Sequence, residues 1–218
     1  MKRVKIKIIG LLALAGLMII NPVYAQRDEM SRIQLGIKGG LNVSNMYAND
    51  VNTNNAKLGA NGGLFLKVAL IDRFSFQPEL LYTMKGAELK YQNSFVSGTA
   101  NFSLDYVEVP FLAVFNLTQN FNIQGGLYVA SLTRVKIKNQ DDAGLFDFER
   151  EMLKEDFETI DYGFIIGMGG DFNNISIGIR YEIGLKTVGK ERSFAGQIYR
   201  FPDARNSLLQ FYLGIGIL

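Results

Sequence analysis

From Ile33 to Leu218 the chain alternates apolar and polar residues in eight segments. A period of two marks a β-strand with one face apolar and the other polar. The seventh segment is the most regular. Ile175, Ile177, Ile179, Tyr181, Ile183 and Leu185 share one face; Ser176, Gly178, Arg180, Glu182, Gly184 and Lys186 share the other. The first sets Ile33, Leu35, Ile37, Leu41 and Val43 against Gln34, Gly36, Lys38, Gly40, Asn42 and Ser44. The remaining strands are predicted near 58–70, 74–85, 106–117, 121–129, 162–172 and 209–217. Connections between them run long, short, long, short, long, short, long. The short ones are Ile71-Asp72-Arg73, Thr118-Gln119-Asn120 and Asn173-Asn174. Tight turns at one end and long loops at the other are what an up-and-down transmembrane β-barrel produces, with the turns and both termini periplasmic.

Alternation leaves open which face is inside, because a lipocalin-like ligand carrier also alternates, with its apolar face inward. The apolar faces carry no charged residue, as lipid contact requires, since a midplane charge costs about 2–4 kcal/mol. The polar faces are dominated by Gly, Ser, Asn and Gln, which suit the inside of a narrow eight-stranded barrel. The expected fold is therefore an all-β, eight-stranded antiparallel barrel with lipid outside. A periplasmic lipocalin-like carrier remains the soluble alternative.

That assignment turns Lys38, Lys67, Lys85, Arg180 and Lys186 into the lumen together with Glu79, Glu108, Asp171 and Glu182. Buried charges must be paired, and eight strands leave an interior that side chains just fill. A paired charge network plugging the lumen is expected. A narrow pore or small-solute transporter is the competing reading. Pro78 and Pro110 lie inside apparent strands, where proline removes a ladder hydrogen bond, so bulges or strand ends are expected near both. Leu104 is out of phase with Val107, which predicts a bulge or a strand already outside the membrane.

Ahead of the barrel, Lys2, Arg3, Lys5 and Lys7 precede an apolar run from Ile8 to Ile20, and Val23-Tyr24-Ala25 stands before Gln26. This is the pattern of a secretory signal over residues 1–25, leaving a barrel domain over 26–218. About 13 apolar residues fall short of the roughly 20 that a spanning helix needs. The whole chain has 23 Lys+Arg and 21 Asp+Glu. Removing the four basic residues of the signal leaves 19 against 21, a net charge of −2. No clustered basic face remains to suggest a nucleic-acid partner.

The chain has no His and no Cys. Histidine-based triads and thiol catalysis are excluded, and so are soft-metal sites. The Asp141-Asp142 pair has nothing to separate its two acidities, so no enzyme activity is expected. The acidic spacing that follows does not match a twelve-residue calcium loop, and no cofactor or metal is expected. Within 146–157, Phe148/Met152 and Leu153/Phe157 recur four apart, which predicts a short amphipathic helix. The acidic 136–161 connection and the basic 187–205 connection are expected to cap the barrel by pairing with each other, with ligand capture by these loops the alternative.

Several runs carry a resemblance: 36–44 (GIKGGLNVS), 76–82 (FQPELLY), Lys85-Gly86, 106–110 (YVEVP) and Arg205-Asn206. With these the chain resembles the PorT-like outer-membrane β-barrel family common in Bacteroidetes, over essentially the whole mature length. The resemblance implies an outer-membrane location, lipid contact and envelope protein partners through the outer loops or the periplasmic side. Its namesake is associated with type IX secretion and gliding machinery. It implies no catalytic residue.

Overall fold

The structure is a computed structural model, and it describes residues 33–47, 54–92, 97–141, 148–151, 157–188, 192–194, 197–199 and 205–217. The targeting segment read in residues 1–25 lies outside these. Eight long strands form the body: β1 (Ile33–Tyr47), β3 (Lys57–Ile71), β4 (Phe74–Gln92), β5 (Ser97–Asn116), β6 (Phe121–Asp141), β8 (Ile160–Phe172), β9 (Ile175–Thr187) and β12 (Arg205–Gly216). Each pairs antiparallel with the long strand before and after it, and β12 closes the ring onto β1. Two short strands extend the wall, β2 (Asn54–Asn55) on β4 and β7 (Phe148–Glu151) on β6. Among the described residues, strands β10 (Arg192–Phe194) and β11 (Gln197–Tyr199) pair with each other alone. The ring is an up-and-down barrel, with no unpaired edge left in its body.

The alternation sorts side chains as the period of two requires. Arg180 is 1 % exposed, while Tyr181 beside it is 37 % and Ile177 47 % exposed. Phe115, Phe121 and Phe172 point outward near the short turns; Tyr82, Tyr162 and Tyr181 point outward toward the long-loop end. A continuous outer band of Ile, Leu, Val and Phe of this extent marks a lipid-facing surface. Asn173, at φ 54°, occupies the left-handed region in the two-residue turn between β8 and β9. Asn tolerates that region, and the turn type it supports matches the strand twist.

Four expectations need correction. First, no register shift occurs at Pro78 or Pro110. Pairing of β3 with β4 stops at Phe65–Glu79 and resumes in the same register at Val68–Phe76. Pairing of β4 with β5 stops at Pro78–Phe111 and resumes at Leu81–Glu108. The ladder therefore lapses twice, at Pro78 on the β3 side of β4 and at Pro110 where β5 meets β4, and each lapse absorbs a missing N–H group without an added residue.

Second, Leu104 is neither bulged nor turned out. A shift does fall between Asp105 and Tyr106, but the extra residue is Thr133 on β6. Thr133 Oγ1 donates to the carbonyl of Asp105 at 2.8 Å. The phase of β5 is unbroken, and Leu104 is fully buried in an apolar layer of the lumen.

Third, Phe148–Glu151 is a strand and not a helix. Its backbone groups pair with the part of β6 that outruns its other neighbour. An open strand edge satisfies four residues better than a helix too short to be stable. Fourth, β4, β5 and β6 run to Gln92, from Ser97 and to Asp141, well past the predicted segment ends. One side of the wall is consequently taller than the side formed by β8, β9 and β12.

Candidate functional site in the barrel lumen

Inward-facing polar residues assemble in layers along the lumen. Nearest the short turns, Asp171 accepts from Lys67 Nζ at 2.6 Å, Ser176 Oγ at 2.7 Å and Asn122 Nδ2 at 2.9 Å. This layer is partly exposed.

The next layer centres on Glu79. Arg180 grips its carboxylate in a fork, Nη1 to Oε2 at 2.8 Å and Nη2 to Oε1 at 2.9 Å. Lys38 Nζ donates to the same two oxygens at 3.2 and 3.1 Å, and Gln77 Nε2 donates to Oε1 at 2.6 Å. Arg180 Nε donates to Gln124 Oε1 at 2.8 Å, and Gln124 Nε2 donates to Tyr212 Oη at 2.6 Å. Tyr212 lies beneath both cations, with Lys38 Nζ 3.7 Å and Arg180 Cζ 4.5 Å from its ring centroid. Gly169 and Gly178 make room for that ring: a Cβ at either would stand 2.6 or 2.5 Å from Tyr212 Oη. Planar guanidinium and carboxylate groups give the strongest pairing geometry, and cation–π contact adds to it when water is excluded.

Toward the long-loop end the arrangement inverts. Lys85 Nζ lies 2.7 Å from Glu108 Oε2 and 2.9 Å from Glu182 Oε2. Its Nζ sits 4.3 Å from the centroid of Tyr128. Tyr128 Oη donates to Asp161 Oδ2 at 3.2 Å, and Asn206 Nδ2 donates to the same oxygen at 2.9 Å. Above them Leu104, Leu132, Val135, Phe157 and Val188 form a buried apolar layer across the mouth. Leu81, Leu112, Val114, Ile165 and Leu208 also face inward, so the lumen is less polar than the alternation suggested.

The structure thus brings Lys38, Glu79 and Arg180 together, then Lys85, Glu108 and Glu182, then Lys67 and Asp171. Lys186 departs from this set. It is about one-third exposed and pairs with Glu158 at 2.9 Å at the mouth. Asp161, only 4 % exposed, was missed. It continues the inward phase of Gly163 and Gly167, one residue before the predicted start of that strand. Outside the lumen, Asp105 accepts from Arg134 Nε at 2.7 Å and from Tyr82 Oη at 2.9 Å on the outer face. The Asp141-Asp142 pair cannot be placed, since residue 142 lies outside the described residues.

A closed antiparallel ring with a lipid-facing exterior and paired interior charges defines an integral outer-membrane β-barrel. The chain belongs to the family described as outer membrane protein beta-barrel domain, whose model matches residues 24–188. Comparison with curated proteins found no match. Among solved structures it is similar to Ail, the attachment invasion locus protein of Yersinia pestis, crystallised with a heparin analogue. The identity is 13 %, over 85 % of this chain and 99 % of that one, with a TM-score of 0.47. Neisserial surface protein A is 12 % identical over 83 % and 96 %, with a TM-score of 0.49. OprG from Pseudomonas aeruginosa is 9 % identical over 85 % and 94 %, with a TM-score of 0.38.

Proposed function

We propose that this outer-membrane barrel keeps its lumen plugged and acts as a structural and interaction protein of the envelope. The observation that carries this reading is the pair of ion clusters spanning the lumen. Glu79 on β4 is held by Arg180 on β9 and Lys38 on β1, and Lys85 on β4 by Glu182 on β9 and Glu108 on β5. Side chains from opposite walls meet, and all six are at most 5 % exposed. Charges paired across the lumen in this way support a closed interior. Function then falls to the outer surface, where loops on a rigid scaffold collect binding roles. The tall β4–β5–β6 wall offers a platform on one side of the mouth, and the PorT-like resemblance supports contact with a secretion assembly.

Purified barrel reconstituted in planar bilayers is expected to give no reproducible conductance. Discrete conductance that Arg180→Ala alters would establish a narrow pore instead. Crosslinking in native envelopes from the wall strands, against crosslinking from the short turns, identifies which end meets protein partners. Mature protein found in the soluble periplasmic fraction with copurified lipid would replace the whole reading by a ligand carrier.

A further inference from the structure

The two ion clusters balance each other, three cations against three carboxylates, and buried Asp161 adds a fourth carboxylate. Within the sealed lumen Lys38, Lys85 and Arg180 face Glu79, Glu108, Asp161 and Glu182, all at most 5 % exposed. Three cations against four carboxylates leave one negative charge in a compartment surrounded by lipid, where an unpaired charge is costly. The deficit lies at the long-loop end, where Lys85 serves both Glu108 and Glu182, and Asp161 has only neutral donors.

A second observation points to the same place. Among the described residues, the buried side-chain atoms without a partner are Asn61 Oδ1, Glu108 Oε1, Asp161 Oδ1, Asn206 Oδ1, and Oε1 and Nε2 of Gln210, while Glu108 Oε2 has Lys85 Nζ at 2.7 Å. All but one are oxygens, so the lumen lacks donors and not acceptors. Gln210 is fully buried with neither end of its amide engaged.

The strand register shows what Gln210 faces. In one direction the ladder leads from Gln210 through Arg180, Gly167 and Gln124 to Val114 on β5. In the other it leads to Asn42 and then Gly59, which abuts Met84. Lys85, next to Met84, pairs with Leu104 on β5. The midpoint between Leu104 and Val114 is flanked by inward-facing Glu108 and Pro110, so Glu108 lies across the lumen from Gln210.

We propose that the long-loop half of the lumen holds one monovalent alkali cation, bound by the free oxygen of Glu108 and the Gln210 carbonyl. Oxygen-only donors select a hard cation, and the chain offers no His or Cys for a softer one. No three carboxylates converge among the described residues, and a single positive charge balances the lumen, so the ion is monovalent. The inference rests on the closed lumen; bilayer conductance tests that closure separately, whereas the ion is read from stability.

The full mature barrel is refolded in nonionic micelles, and its thermal midpoint is followed by circular dichroism at equal ionic strength. Sodium or potassium chloride should raise the midpoint by several degrees over tetramethylammonium chloride, saturably. Glu108→Gln should melt higher than the parent in tetramethylammonium and lose the alkali response, because it removes the unbalanced charge. Equal midpoints of the parent in all three salts overturn the proposal. A midpoint that follows pH but not the alkali ion also overturns it, by putting a proton in the ion's place. Should Glu108→Gln fail to fold, Gln210→Leu alters no charge and should demand a several-fold higher ion concentration. An unchanged concentration dependence in that variant rejects the site.

Discussion

The two halves of the lumen are charge inverses built from the same strands. In the short-turn half one carboxylate, Glu79, is shared by two cations; in the other, one ammonium, Lys85, is shared by two carboxylates. The first is saturated: a forked guanidinium, an ammonium and an amide all donate to Glu79. The second leaves carboxylate and amide oxygens without donors. Lysine has three donors on a point-like head, whereas a carboxylate pair offers about eight lone-pair sites. One lysine cannot satisfy two buried glutamates, and the inverse arrangement is intrinsically under-supplied.

The contrast is broken most severely by Glu79→Ala, which strands Lys38 and Arg180 beside each other without a counter-charge. A loss of about 3–5 kcal/mol is expected, the cost of removing one partner from a buried pair, measured by urea unfolding in micelles. Lys85→Met also strands two like charges. It should cost less than Glu79→Ala, about 3 kcal/mol, if a bound cation takes over part of the role of Lys85. Equal or reversed losses would show that the halves do not differ. Tyr212→Phe keeps the ring beneath Lys38 and Arg180 but removes the hydroxyl that accepts from Gln124. About 1 kcal/mol is expected for that single hydrogen bond, by the same unfolding measurement. Lys186→Ala touches only the exposed pair with Glu158 and should stay within about 0.5 kcal/mol of the parent.

How far the sequence reaches differs between backbone and lumen. Strand β9 is legible residue by residue because its faces differ so sharply, Ile-Ile-Ile-Tyr-Ile-Leu against Ser-Gly-Arg-Glu-Gly-Lys. The inward direction of Lys38, Glu79 and Arg180 follows from the same alternation. Their partnership does not. Glu79 and Arg180 are 101 residues apart, and strand tilt decides which inward residues share a height. Leu112 and Ile165 point inward despite being apolar, opposite Gln77 and Glu182 in the ladder, because the lumen there needs volume as well as polarity. The phase problem at Leu104 pointed to the right level of the wall but the wrong strand. A bulge belongs to a pair of strands, and Thr133 carries the extra residue. The four-residue spacing of Phe148 and Met152 suggested a helix because local periodicity cannot register an open strand edge waiting on β6.

Pro110 changes how the barrel holds its shape around Glu79. Where β4 meets β5, the backbone ladder lapses between Pro78–Phe111 and Leu81–Glu108, and Glu79 stands in that gap. Its hydrogen bonds run instead across the lumen to β9 and β1. At this level the wall is braced from within, like a hoop with an open joint held by its spokes. Amide exchange of Leu80 and Val109 should therefore track the strength of the Glu79–Arg180 contact more than that of the ladder on either side.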